Sequence, residues 1–156
     1  MQSAPIYEER LNASYPMVIA VFLFALVVGL VPGIVFGGLS WLTVLYLALT
    51  IGIIASFFQM KIELFEDKLV VKFGFLYHKT IKVQKMKACS VYRIPHPVRT
   101  YGGWGIRGGR DGTFALTQAF ISEGIKLETS DKTFVISSRT PENFCVAIKS
   151  ALSQKG

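Results

Sequence analysis

Polar and apolar positions divide this chain into three parts. From Met17 to Phe58 there is no Asp, Glu, Lys, Arg or His. The block reads MVIAVFLFALVVGLVPGIVF over 17–36, then GGLS as a short breaker, then WLTVLYLALTIGIIASFF over 41–58. A hydrocarbon core of ~30 Å takes about 20 apolar residues of helix to cross. The pattern therefore predicts two transmembrane helices, about 17–36 and 39–58, joined as a tight hairpin. A helix lying on a soluble core keeps a polar stripe, and neither segment has one. A secretory signal would have a basic start and a shorter apolar run, whereas Glu8, Glu9 and Arg10 precede this block. Residues 1–16 read as a mobile tail, with Pro5 breaking it early.

After Phe58 the period changes to two, the signature of strands. Ile62 and Leu64 alternate with Lys61 and Glu63, the turn Glu66-Asp67-Lys68 follows, and Leu69, Val71, Phe73 and Phe75 alternate in turn. Two such runs with a short polar turn make a hairpin. Thr80–Val83, Ala88–Ile94, Thr113–Gln118, Gly124–Thr129 and Lys132–Ser137 are further strands. Pro95-His96-Pro97 interrupts the ladder, because proline donates no backbone hydrogen bond. The last element is a helix: Thr140 caps it, Pro141 suits its first position, and Glu142 suits its positive end. Phe144, Ala147, Ile148, Ala151 and Leu152 share one of its faces. Residues 59–156 thus form one small domain, a barrel or sandwich plugged by a terminal helix.

Charge adds a topology. The chain carries +7 overall. The tail holds one Arg against two Glu, and residues 59–156 hold sixteen basic against eight acidic residues. Basic residues collect on the cytoplasmic side of a span. Two spans leave both ends on one side, so the expectation is a multi-pass protein of the inner cell membrane with both termini cytoplasmic. In a reducing compartment Cys89 and Cys145 would stay unlinked and serve as small buried hydrophobes. No Cys/His spacing suits a metal.

The membrane hairpin, the loop Y-G-G-W-G-I-R at 101–107, the strands x-G-I-x-L-x-T and K-x-F-V-I-S-S, and the helix opening T-P-E-x-F resemble the bacterial PH-like membrane proteins. The resemblance covers 59–152 and is most specific in 101–107 and 124–144. It implies a membrane α hairpin carrying a mainly-β pleckstrin-homology-type barrel of about seven antiparallel strands, capped by the C-terminal helix. It implies no particular activity. The basic stretch 85–93 departs from the family pattern.

Several groups invite a chemical reading. Gly103–Gly108 fits the letters G-x-G-x-x-G, but that fingerprint requires a strand before it and a helix after it, and here more Gly and a strand follow. The plainer reading is that, within the structural motif Tyr101, Gly102, Gly103, Trp104 and Gly105, Gly102 and Gly103 allow a bend while Trp104 packs on the barrel. Arg99, Arg107 and Arg110, with Lys82 and Lys85, form a basic set able to contact anionic lipid or an acidic partner, each residue contributing about 1 kcal/mol near a charged bilayer; a merely solvated face is the plainer alternative. Gly29 and Gly33 make a small-x-x-x-small pair suited to close helix packing in the membrane. The aromatics form no exposed stacking platform for nucleic acid. His78 and His96 have no carboxylate at motif spacing, and no nucleophile elbow occurs.

These features predict a non-catalytic, membrane-tethered interaction module that binds a protein partner, itself or anionic lipid. No cofactor, metal, nucleic acid or small-molecule substrate is expected. The alternative is a small accessory subunit of a larger membrane complex, acting through its hairpin.

Overall fold

The computed structural model describes residues 4–13, 15–35, 41–57, 59–94, 101, 103, 105–109, 112–119 and 121–153. Among them lie nine strands: β1 Tyr7–Asn12, β2 Gln59–Leu64, β3 Lys68–Phe73, β4 Tyr77–Lys82, β5 Met86–Arg93, β6 Gly105–Gly108, β7 Phe114–Thr117, β8 Glu123–Thr129 and β9 Thr133–Ser137. Three helices accompany them: α1 Tyr15–Val35, α2 Trp41–Phe57 and α3 Pro141–Ser153.

Alternation sets each strand's faces. Met60, Ile62 and Leu64 on β2 and Leu69, Val71 and Phe73 on β3 turn inward and are fully buried, while Lys61, Glu63 and Lys72 turn outward. The strands form two open sheets, ordered β1-β2-β3-β4 and β5-β8-β9-β7-β6. Their inner faces meet in one core that also takes Phe144, Cys145, Ile148 and Ala151 from α3. The other face of the second sheet is covered by a smaller cluster of Ile94, Tyr101, Ala115 and Val135.

This architecture corrects the expected PH-like barrel. Neither sheet closes on itself, and β7 pairs with β9 in parallel rather than antiparallel fashion. The first sheet is four strands wide because it recruits β1 from ahead of the helices. Tyr7–Asn12, expected as part of a mobile tail, is an ordered edge strand with Leu11 wholly buried. The whole of 13–58 is thus inserted into a β-hairpin, since Asn12 and Gln59 are register partners.

Glu9 explains how so polar a strand is held. Its Oε2 accepts hydrogen bonds from the Tyr7 hydroxyl (2.7 Å) and the Ser138 hydroxyl (2.6 Å), and its Oε1 accepts one from the Arg139 amide (2.7 Å). The Tyr7 ring stacks on Phe144 at 4.8 Å between centroids, and its hydroxyl lies 2.9 Å from that of Thr140. Burial pushes the Tyr7 phenol up from its usual range, with the Glu9 carboxylate adding to the shift. One carboxylate therefore ties the chain's first strand to the junction of β9 and α3. Glu9→Gln removes the charge and turns an amide donor toward these donors. With charge-assisted bonds contributing about 1.5–3 kcal/mol each, we expect a loss of roughly 2 kcal/mol. Urea unfolding checks it; a variant within 0.5 kcal/mol of the parent would show that β1 is held by its ladder alone.

The helical pair calls for a second correction. α1 and α2 pack on each other, and α2 also touches β2. α2 has 17 residues, about 26 Å at 1.5 Å per residue, short of a ~30 Å hydrocarbon core. α1 has 21 residues, and its described side chains end at Val28. Among the described residues no helix is long and apolar enough to cross a membrane. The two spans and the multi-pass inner-membrane placement with cytoplasmic termini are corrected on this finding. Gly29 and Gly33 fall within α1, but their packing lies outside the described residues. Large apolar side chains project from both helices, Phe24 (70% exposed) and Trp41 (72%) most of all.

The cysteines are the third correction. Cys89 on β5 and Cys145 on α3 form a disulfide across 56 residues, with Cα atoms 5.6 Å apart.

Candidate functional site

The basic residues singled out from the sequence do not converge. Arg99 and Arg110 lie outside the described residues, as do Gly102, Trp104 and Pro95-His96-Pro97. Lys82 closes β4, and Lys85 sits in the 3₁₀ turn Val83–Lys85 that leads into β5. Lys85 pairs with Asp131 at 2.5 Å, which holds the Asp131 carboxyl below its usual range. Arg107 is on β6, at the opposite edge of the second sheet from β5. Four strand spacings of ~4.8 Å separate those edges. Arg107 instead packs on its own loop: a Cβ added at Gly103 would lie 3.6 Å from its guanidinium. Gly103 and Gly105 have φ of 136° and 95°, the left-handed region glycine enters freely. Tyr101 is buried beneath the second sheet. The loop's described residues thus serve packing.

Strand register assembles a different set. Arg10 is paired with Lys61, Lys61 with Lys72, and Lys72 with His78, so four basic residues form one row across the outer face of the first sheet. Glu8 and Glu63 are register partners in the next row but one residue further along each strand face. Like charges directly opposite one another are unfavourable, and here the two kinds of row offset each other. Lys61 reaches Glu63 at 2.6 Å and Glu8 at 3.1 Å, Lys72 reaches Glu63 at 2.8 Å, and Arg10 reaches Glu8 at 3.0 Å.

Hydrogen bonds from Lys61 and Lys72 hold the Glu63 carboxyl below its usual range, and those from Lys61 and Arg10 do the same for Glu8. Glu63 in turn raises the Lys61 ammonium, with Glu8 adding to it. Glu63 is only 8% exposed, so it is a built-in counter-ion. The exposed Arg10–Glu8 pair contributes about 0–1 kcal/mol, while the pairs from Lys61 and Lys72 offset the burial of the Glu63 carboxylate. Three cations against two carboxylates leave one positive charge in excess, and His78 lies beside them.

A groove of about 500 Å³ opens along this row, lined by Arg10, Lys61 and Lys72 together with Asn12, Gln59 and Phe75. Phe75 forms a wall. The β3–β4 turn places it there: Gly74 adopts φ 50°, and its amide donates to the Gln59 carbonyl at 2.8 Å. The Phe75 ring, expected inside a strand, is 79% exposed.

The chain matches no protein-family model, and comparison with curated proteins and with solved structures finds no match. The family likeness drawn from the loop and strand letters therefore has no support beyond them, and the open two-sheet fold replaces it.

Proposed function

We propose that the protein is a non-catalytic binding module that presents the outer face of its first sheet to an acidic protein partner. The observation carrying this reading is the cationic row of Arg10, Lys61, Lys72 and His78, aligned by register and left in net positive charge. Complementary charge steers encounter and sets the register of docking. β4 borders the row as an edge strand, where an extended peptide can add to the sheet through backbone hydrogen bonds.

The test is binding of a fluorescent Glu- and Asp-rich peptide followed by anisotropy. Arg10→Glu and Lys72→Glu each reverse a charge on side chains that are 70% and 45% exposed, and circular dichroism and thermal melting establish that each variant is folded before binding is compared. We expect each to weaken the peptide about tenfold, or ~1.4 kcal/mol, and rising salt to weaken the parent. Unchanged affinity in both variants rules the face out. Binding to phosphatidylserine vesicles with none to the peptide replaces the protein partner by lipid.

A second reading is favoured by the apolar side chains that α1 and α2 turn outward, since exposed apolar area beyond a few hundred Å² marks interaction surfaces. In it the protein is an accessory subunit docked through the helical pair. The register of Asn12 with Gln59 allows 13–58 to be replaced by a two-residue Asn-Gly turn. Peptide binding that survives this exchange belongs to the sheet.

A further inference from the structure

Beside the cationic row, and resting on the reading of that face as the binding surface, we infer that the groove holds one small anionic amphiphile. Its oxyacid head sits on Arg10, Lys61 and Lys72, and its apolar body lies against Phe75. The groove's volume, about 500 Å³, is within the span of small-molecule sites, which combine apolar walls with a few placed polar groups. An acidic side chain of a protein would use the floor alone. The floor, however, is joined to an aromatic wall held at 79% exposure by a glycine turn that is itself bonded to β2. A ligand satisfying both needs an acid at one end and hydrocarbon next to it.

Charge sets the head. Glu63 is buried and paired with both Lys61 and Lys72, and Glu8 is paired with Arg10 and Lys61. One further negative charge neutralises the row. A carboxylate supplies it, and a phosphate monoester supplies it with up to one charge more, with the side-chain amides of Asn12 and Gln59, which also line the groove, able to donate hydrogen bonds. The position also suits the body, because Asn12 and Gln59 are the last and first strand residues on either side of the apolar helical pair.

Decanoate, decyl phosphate and decanol, titrated into the full chain and followed by calorimetry and NMR, test the assignment. Both acids are expected to bind, with chain protons showing contacts to the Phe75 ring and decanol at least tenfold weaker. Decanoate tighter than decyl phosphate selects a carboxylate, and the reverse order a phosphate ester. Phe75→Ser, at an exposed position, is expected to weaken both acids about tenfold while leaving the acidic peptide unaffected. Lys72→Met is expected to weaken the acids and leave decanol unchanged. Equal affinity for decanol, or ligand contacts confined to α1 and α2, overturns the proposal and leaves the peptide reading standing wherever Arg10→Glu and Lys72→Glu still weaken the peptide. If those two charge reversals affect neither peptide nor acids, both readings fall together.

Discussion

Gly124→Ala is expected to cost about 4 kcal/mol, enough to leave much of the protein unfolded in mild denaturant. Gly124 lies on β8, between Tyr92 of β5 and Ser137 of β9. A Cβ built there would fall 2.2 Å from the Ile136 carbonyl oxygen, 2.9 Å from its carbon and 2.9 Å from the Ser137 Cα. All three are backbone atoms in the middle of a five-stranded sheet, so no side chain can rotate away. Either β9 separates from β8, breaking ladder bonds and disturbing Ile125 and Ile136 in the core, or the strand twists at the same cost. Overpacking usually costs about 1–3 kcal/mol, and more where the neighbour cannot yield. Gly108→Ala is the control, because nothing lies within 4 Å of its added Cβ, and it should stay within about 0.5 kcal/mol of the parent. A drop in Tm of ~10 °C for the first and almost none for the second is the expected pair. A Gly124→Ala protein melting with the parent would show that β8 and β9 are not packed as described.

Opening the Cys89–Cys145 disulfide is expected to have an effect of similar size. The bond closes a loop of 56 residues that contains β6, β7, β8 and β9 and pins α3 to β5. Restricting an unfolded chain over that length contributes about 4 kcal/mol at 25 °C in the loop-entropy model. Both sulfurs lie in the core cluster with Leu127, Phe144 and Ile148, so reduction also leaves two thiols filling the space of one bond. Urea midpoints with and without dithiothreitol measure it. The Cys89→Ala/Cys145→Ala variant should match the reduced parent and be indifferent to reductant. Two free thiols titrating in the denatured, unreduced protein would overturn the bond. Such a pair persists in an oxidising milieu and opens in a glutathione-poised one, which is at odds with the reducing cytoplasm expected from the charge distribution.

Much of the strand pattern was legible because it is local. Ile62 with Leu64, and Leu69 with Val71 and Phe73, alternate with charge, and a one-residue slip would place every charge inside. α3 was legible for the same reason: Thr140, Pro141 and Glu142 start it by local rules, and the Thr140 carbonyl accepts from the Phe144 amide at 3.1 Å. Even the glycine in the x-G-I-x-L-x-T strand is a local letter with a distant cause, the backbone of β9. β1 was illegible. Its inward side carries Glu9 between Tyr7 and Leu11, and besides the Tyr7 hydroxyl the partners of that carboxylate are Ser138 and Arg139, about 130 positions away.

The cationic row is the same case in the binding face. Arg10, Lys61, Lys72 and His78 have no motif spacing, because 13–58 intervenes between the first two. The most conspicuous basic residues in the sequence, Lys82, Lys85 and Arg107, go to separate edges and partners.

By itself the sequence determined where the chain alternates, where it turns, where its terminal helix begins and where charge is absent, since each follows from neighbours within a few residues. Tertiary structure alone decided that 13–58 interrupts a β-hairpin, that the cysteines meet, that two open sheets form in place of a barrel, and that four basic side chains share a row. Those outcomes depend on which strand edges find each other across long separations, and hydrogen-bonding edges carry no side-chain label.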